Sequence, residues 1–234
     1  MPWDTLIKNA LLFDGRAEVP VQQDVAIQDG KVAEIGPDLD ATSATEVVDA
    51  GGRWLMPGLW DIHTHLDLEV ELDPGLTEVV RHGTTTAVVA NCSIGVPFGR
   101  QNESGHDPVV SCFARVENIP KSVLSRVADQ ITWDNPKAYL EHFAQMPLGA
   151  NIVPMIPHSM LRIEAMGLER AITGESTDEE LQRMEDILEQ AMKDGYAGFS
   201  TDSLPFHYLS NDPHRKKRIP ANYSSYDEVK RLTG

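Results

Sequence analysis

Cysteine is nearly missing from this chain: Cys92 and Cys112 are the two among 234 residues. One bridge would add little to a chain of this length, so a disulfide scaffold is excluded and at least one thiol is free for other work. Long apolar runs are lacking as well, none approaching the roughly 20 residues needed to span a bilayer. The opening stretch, Met1 to Arg16, has neither the basic start nor the unbroken apolar core of a signal peptide. A cytoplasmic protein without a membrane partner is therefore expected. Positive charge is also scarce, with 20 Lys and Arg against 36 Asp and Glu, a formal net charge of -16. Such a field repels phosphate backbones, which excludes nucleic acid as an expected partner, and the acidic surplus is read as a solubilising surface. No repeat of fixed period and no low-complexity tract occurs.

What is present is apolar content of 41%, enough to bury a sizeable core in one large domain or a large and a small one. The first part reads as β structure. Leu6 to Phe13 is apolar and stops at Asp14-Gly15; Val25 to Ile27 and Lys31 to Ile35 flank the hairpin signal Asp29-Gly30; Glu46 to Asp49 precedes Gly51-Gly52. Residues 1–56 are thus expected to form a small N-terminal β module, part of a small β-sandwich, closed by Met56-Pro57-Gly58.

After Pro57 the pattern alternates between strands and helices, as parallel βα units do. Strands are expected at Leu59–Thr64, Thr84–Ala90, Asn151–Ile156 and Tyr196–Thr201, with short helical stretches near Leu76, Ser122 to Ile131 and Pro136 to Met146. Thr177 to Asp194 is the clearest helix: Thr177 and Glu180 match a capping box, the apolar positions recur on one face, and Gly195 ends it. Ser225, with Glu228 three residues on, opens a last helix, and the basic run Arg215 to Arg218 reads as a solvated loop. Four βα units are half of an eight-stranded barrel, so 57–234 is expected to be the first half of a (β/α)8 barrel. Open sheet edges and an unfilled core then imply that the chain alone associates.

The stretch Pro57-Gly58-Leu59-Trp60-Asp61-Ile62-His63-Thr64-His65 carries the chemistry. Side chains two apart on a strand share a face, which places Asp61, His63 and His65 together and Trp60, Ile62 and Thr64 opposite. Two imidazoles so arranged can reach one cation, and Asp61 sits where it could accept the other ring N–H of a ligating histidine. Alone, H-x-H is equally compatible with two histidines satisfied by local hydrogen bonds. Cys112, among Val109, Val110 and Phe113, reads as a packed core thiol.

P-G-L-W-D-x-H-x-H after a β module resembles the signature of the amidohydrolase superfamily, whose strand-one histidines bind a divalent metal at the C-terminal rim of a (β/α)8 barrel. His82-Gly83-Thr84-Thr85-Thr86 followed by Asn91-Cys92-Ser93-Ile94-Gly95 is similar to the pattern of N-acyl-D-amino-acid deacylases, where the cysteine at this place is a metal ligand. The resemblance implies His63, His65 and Cys92 as ligands of zinc, one or two divalent ions in all. Pro157-His158-Ser159-Met160-Leu161-Arg162 resembles the family's G-H-x-x-[LI]-R with proline in place of glycine, making His158 and Arg162 candidates to support the site or meet substrate; a structural role is equally compatible. Gly198-Phe199-Ser200-Thr201 resembles the family's fourth strand.

The implied reaction is hydrolysis of the linear amide of a small N-acyl-D-amino acid, the metal polarising the carbonyl and acidifying water. Two later histidines and an aspartate base complete the site in this family, and no segment here matches them. They are expected beyond residue 234, with the chain as given an inactive fragment. His207 and His214, in an insertion-like loop, are not taken as ligands. Two rivals remain. A cyclic-amide hydrolase of the dihydroorotase or hydantoinase type would carry a lysine on strand four, and Tyr196 to Leu204 has none. A non-catalytic assembly protein of the superfamily has no need of Asp61, His63, His65 and Cys92 together.

Overall fold

The computed structural model describes residues 3–16, 18–102 and 105–234. The chain separates into two compact units, Met1–Gly58 and Leu59–Gly234.

In the first unit β1 (Trp3–Leu12), β2 (Val21–Gln28), β3 (Lys31–Gly36) and β4 (Ala44–Asp49) form one sheet in the order β3-β2-β1-β4, and β5 (Trp54–Leu55) also pairs with β1. The two hairpins are antiparallel, whereas β4 and β5 run parallel to β1. Asp29 and Gly30 both take positive φ, 50° and 70°, the primed turn whose twist matches that of the flanking strands. The register of β1 against β2 shifts between Ile7 and Ala10, and Asn9 turns to φ 56° there. Its N–H donates to the buried Asp24 carboxylate at 2.8 Å, which Lys8 pairs at 3.1 Å. No second sheet faces this one among the described residues of the unit.

The second unit is mixed α/β. Strands β6 (Leu59–Asp61), β7 (Thr84–Val89) and β8 (Asn151–Pro154) form a parallel sheet in that order, and β9 (Ile156–Pro157) pairs in parallel with β10 (Phe199–Ser200). Asn151–Ile156, expected as one strand, is thus interrupted at Met155 and divided between two sheets. No closed barrel forms among the described residues. Around the strands lie α1 (Glu69–Leu72), α2 (Thr77–Arg81), α3 (Pro108–Val116), α4 (Lys121–Ala128), α5 (Pro136–Phe143), α6 (His158–Met166), α7 (Leu168–Ala171), α8 (Asp178–Asp194) and α9 (Tyr226–Thr233). Phe113, Tyr139, Leu161 and Met184 sit at the centre of the core, as does Cys112, the packed thiol that its neighbours predicted. Among the described residues no helix is long and apolar enough to cross a membrane.

Helix starts follow their caps. Asp107, Asn135 and Thr177 each accept the backbone N–H three residues on, and Thr177 with Glu180 closes the capping box reciprocally. Ser225 likewise accepts from Glu228 N–H, but the Glu228 carboxylate goes elsewhere. It reaches across to α6, where His158 and Arg162, four residues apart on one helix face, both meet it, and Ser176 adds a third donor at 2.7 Å.

Every charged member of this cluster is buried. Burial pushes the Glu228 carboxyl upward, but the hydrogen bonds from His158, Arg162 and Ser176 and the guanidinium charge outweigh it and hold the group at about 2. Burial also lowers the His158 pKa, against the pull of Glu228. Removing one partner of a buried pair strands the other charge without solvent, which costs about 3–5 kcal/mol. Glu228→Ala is expected to destabilise the protein by that amount, read by chemical denaturation. The pH dependence follows from the signs. The contribution of Glu228 is complete above its ordinary value of 4.5 and is lost as pH falls toward 2. Neutral His158 gives a loss of the same sign below about 6.5. The melting temperature should therefore fall on acidification, most steeply between pH 4.5 and 2, and Glu228→Gln should flatten that limb.

Candidate metal centre

The two histidines of H-x-H come together differently from the strand alternation expected of Leu59–Thr64. Strand β6 ends at Asp61, and Asp61 Oδ1 accepts the backbone N–H of His63 at 3.2 Å, turning the chain. Asp61 is therefore engaged with backbone, and Trp60 and Ile62 are exposed rather than packed. Thr64, between the histidines, is buried and anchors to β7 twice, its N–H and hydroxyl donating to Val88 O at 3.2 and 2.7 Å. Clamped there, the segment presents His63 and His65 with ring centroids 5.6 Å apart.

Cys92 arrives from the loop that follows β7. Ala90, Cys92 and Ser93 all take positive φ, 64°, 48° and 64°, a left-handed path that costs non-glycine residues about 1–3 kcal/mol each. Neighbouring elements hold it in place. Asn91 Nδ2 donates to Thr64 O and Val88 O, Ser93 and Ser159 hydroxyls meet at 2.8 Å, and Ser200 Oγ donates to Ala90 O. Gly95, which closes the N-C-S-I-G motif, has to be glycine: a Cβ there would stand 2.6 Å from that of Ala90 and 3.0 Å from Asp67 Oδ1. Asp67 itself is wholly buried, and burial pushes its carboxyl up to about 7.

The result is a cluster of three donors. His63 Nε2 lies 3.0 Å from Cys92 Sγ, and one ligand atom from each of His63, His65 and Cys92 falls within 4.8 Å of the others. His65 Nδ1 is buried and has no hydrogen-bond partner. Burial first, then the nearby imidazoles of His63 and His207, lower the His65 pKa to about 4, so its ring is neutral at physiological pH. Burial, then Asp202 and Glu117, raise the Cys92 thiol. Two imidazoles and a thiol with an unsatisfied ring nitrogen fit a zinc-type ion.

Three residues beside this cluster have no motif to mark them. Glu117, just past α3, places Oε1 3.4 Å from His65 Nε2. Asp202, following β10, pairs with His207 Nδ1 at 2.9 Å and accepts from Asn222 at 3.2 Å. Their charges and that of His207 act on His65 and Cys92, so the loop set aside in the sequence reading contributes to the electrostatics of the centre. His158 and Arg162 are not brought to it. They open α6 and are spent on Glu228, His158 also meeting Thr201 Oγ1 at 2.8 Å and Arg162 donating to Gly174 O.

The amidohydrolase family profile matches residues 46–224, which span the H-x-H and cysteine motifs. The chain belongs to the amidohydrolase family. An uncharacterized protein of Mycobacterium tuberculosis (strain ATCC 25618 / H37Rv) is 37% identical over 234 residues, 98% of this chain and 38% of that protein. D-aminoacylase of Alcaligenes xylosoxydans xylosoxydans is 30% identical over 205 residues, 87% of this chain and again 38% of the relative. A solved D-aminoacylase structure, described for its binuclear metal center, superposes with a TM-score of 0.73 at 26% identity, covering 99% of this chain and 42% of that one. The chain thus spans about two fifths of the length of the relatives it matches.

A raised thiol at a candidate ligand makes a measurable demand on metal uptake, since a cysteine binds zinc only as the thiolate and its proton must leave. Calorimetric zinc titration at pH 8 in buffers of different ionisation enthalpy should report release of about one proton for the ion taken up at this cluster. Affinity should weaken as pH falls. Cys92→Ala should remove the zinc taken up at this cluster together with the proton release. Cys112→Ala should leave both unchanged, at a stability cost on the order of 1 kcal/mol for truncating a packed group.

Proposed function

We propose that the protein is a zinc-dependent hydrolase of the linear amide bond of N-acyl-D-amino acids, with His63, His65 and Cys92 holding one or two divalent ions at the rim of a (β/α)8 barrel whose first strands are β6 to β10. The observation that carries this reading is the approach of His63 Nε2 to Cys92 Sγ, with His65 completing the group. It is supported by the likeness to D-aminoacylase and by the binuclear metal center described for that enzyme.

When bound, the metal would supply Lewis-acid activation of the amide carbonyl and of water. The protein's own part is to present the donors in the right state. Neutral His65 needs no proton removed, and the Thr64 anchor keeps both rings beside Cys92. Glu117, Asp202 and His207 ring the cluster and set its local charge.

Hydrolysis of N-acetyl-D-amino acids by the zinc-loaded native protein tests the assignment. Turnover of D substrates with little of the L enantiomers is expected. His63→Ala and His65→Ala should each lower it further than the roughly 10–100-fold typical of losing a partner outside the metal's own ligands. Turnover of hydantoins or dihydropyrimidines without turnover of linear amides would replace this reading by the cyclic-amide one, and absence of zinc with no turnover of either would favour the non-catalytic one.

A further inference from the structure

The geometry points to a second metal-ion site, separate from the first, formed by His106, Glu169 and His214. These residues come from three segments: the loop leading into α3, the short helix α7, and the loop before Ile219. One ligand atom from each lies within 4.8 Å of the other two. The imidazoles of His106 and His214 meet edge to face with centroids 4.9 Å apart.

His214 supplies the reason to read this group as a site. It is 7% exposed, and its Nε2 is buried without a hydrogen-bond partner. Glu169 Oε1 is 3.0 Å away, but out of line for a hydrogen bond. An uncompensated buried ring nitrogen costs free energy, and nearly all such groups in folded proteins find a partner. A cation between the two rings and the carboxylate would serve it. The 3.0 Å between His214 Nε2 and Glu169 Oε1 is close to what that ion sets, because zinc bonds of 2.0–2.1 Å at tetrahedral angles put neighbouring ligand atoms about 3.3 Å apart. Two imidazoles and one carboxylate form a donor set characteristic of zinc. The Glu169 side chain is 70% exposed, which gives the ion a path inward and leaves a position for water.

Such an ion would act on the fold rather than on a substrate. The segment from Asp202 to Arg218 carries Asp202 and His207 to the first centre, and it is docked by Arg115 on Arg215 O and Lys121 on Ser210 O. A metal on His214 would tie the far end of this segment to α7 and to the start of α3, and so hold Asp202 and His207 in register. The inference does not depend on the deacylase reading.

The test is zinc stoichiometry of the chelator-stripped native protein after equilibrium dialysis against zinc alone. His106→Ala and Glu169→Gln alter groups that are not buried and should keep the fold. Each should lose the same equivalent of zinc, the double variant should lose no more, and Cys92→Ala should lose a different one. In the Cys92→Ala background zinc should still raise the melting temperature, and adding His106→Ala should remove that rise, since only an ion bound to the native state stabilises it. Full zinc content in both His106→Ala and Glu169→Gln, or an undiminished rise in Cys92→Ala/His106→Ala, would overturn the site and leave an ordinary histidine–carboxylate contact.

Discussion

The two hydrogen bonds from Thr64 to Val88 O are what the rest of the candidate metal centre depends on. Parallel pairing of β6 with β7 brings the ends of both strands to one edge, but β6 stops at Asp61, short of the histidines. Without a further anchor the H-x-H segment would be a free loop. Thr64 supplies it with a backbone and a side-chain donor on one carbonyl, and Asn91 returns a third bond to Thr64 O from the loop that holds Cys92. The two segments that bear the candidate ligands are thereby bonded to each other, with Ser159 and Ser200 bracing the Cys92 loop from further along the chain.

A similar economy governs the packing of α9 against α6. Glu228 could have completed a capping box on α9, and its backbone N–H does take the Ser225 cap. Its carboxylate is used instead to neutralise Arg162 and to meet His158 from α6. A buried ion cluster of this kind adds little net stability compared with apolar packing, but it penalises every arrangement in which one member is misplaced. It therefore sets the position of α9 against α6, and Thr201 and Ser176 extend the bonding to the end of β10 and the start of α8.

Much of this was legible beforehand where the signal is local. The hairpin at Asp29-Gly30, the caps at Thr177 and Ser225, and the packed state of Cys112 depend on residues adjacent in sequence or on one helix face. Helix α6 was missed because Pro157 stands at its cap position and the residues that follow carry no clean apolar period. The continuity of Asn151–Ile156 was overstated because an apolar run shows β character without showing where a strand changes partners.

The sequence by itself determined which candidate donors are available for metal chemistry, His63, His65 and Cys92, because donor type belongs to the residue. Tertiary structure alone decided the company those atoms keep. Glu117, Asp202 and His207 lie 25 to 115 positions further along the chain than Cys92, in segments with no shared motif, and act on the cluster only because folding removes the solvent between them. It also decided that His158 and Arg162, which a motif suggests for the site, are turned to Glu228: four residues on a helix place them together, and in their buried setting Glu228 is the carboxylate that meets both.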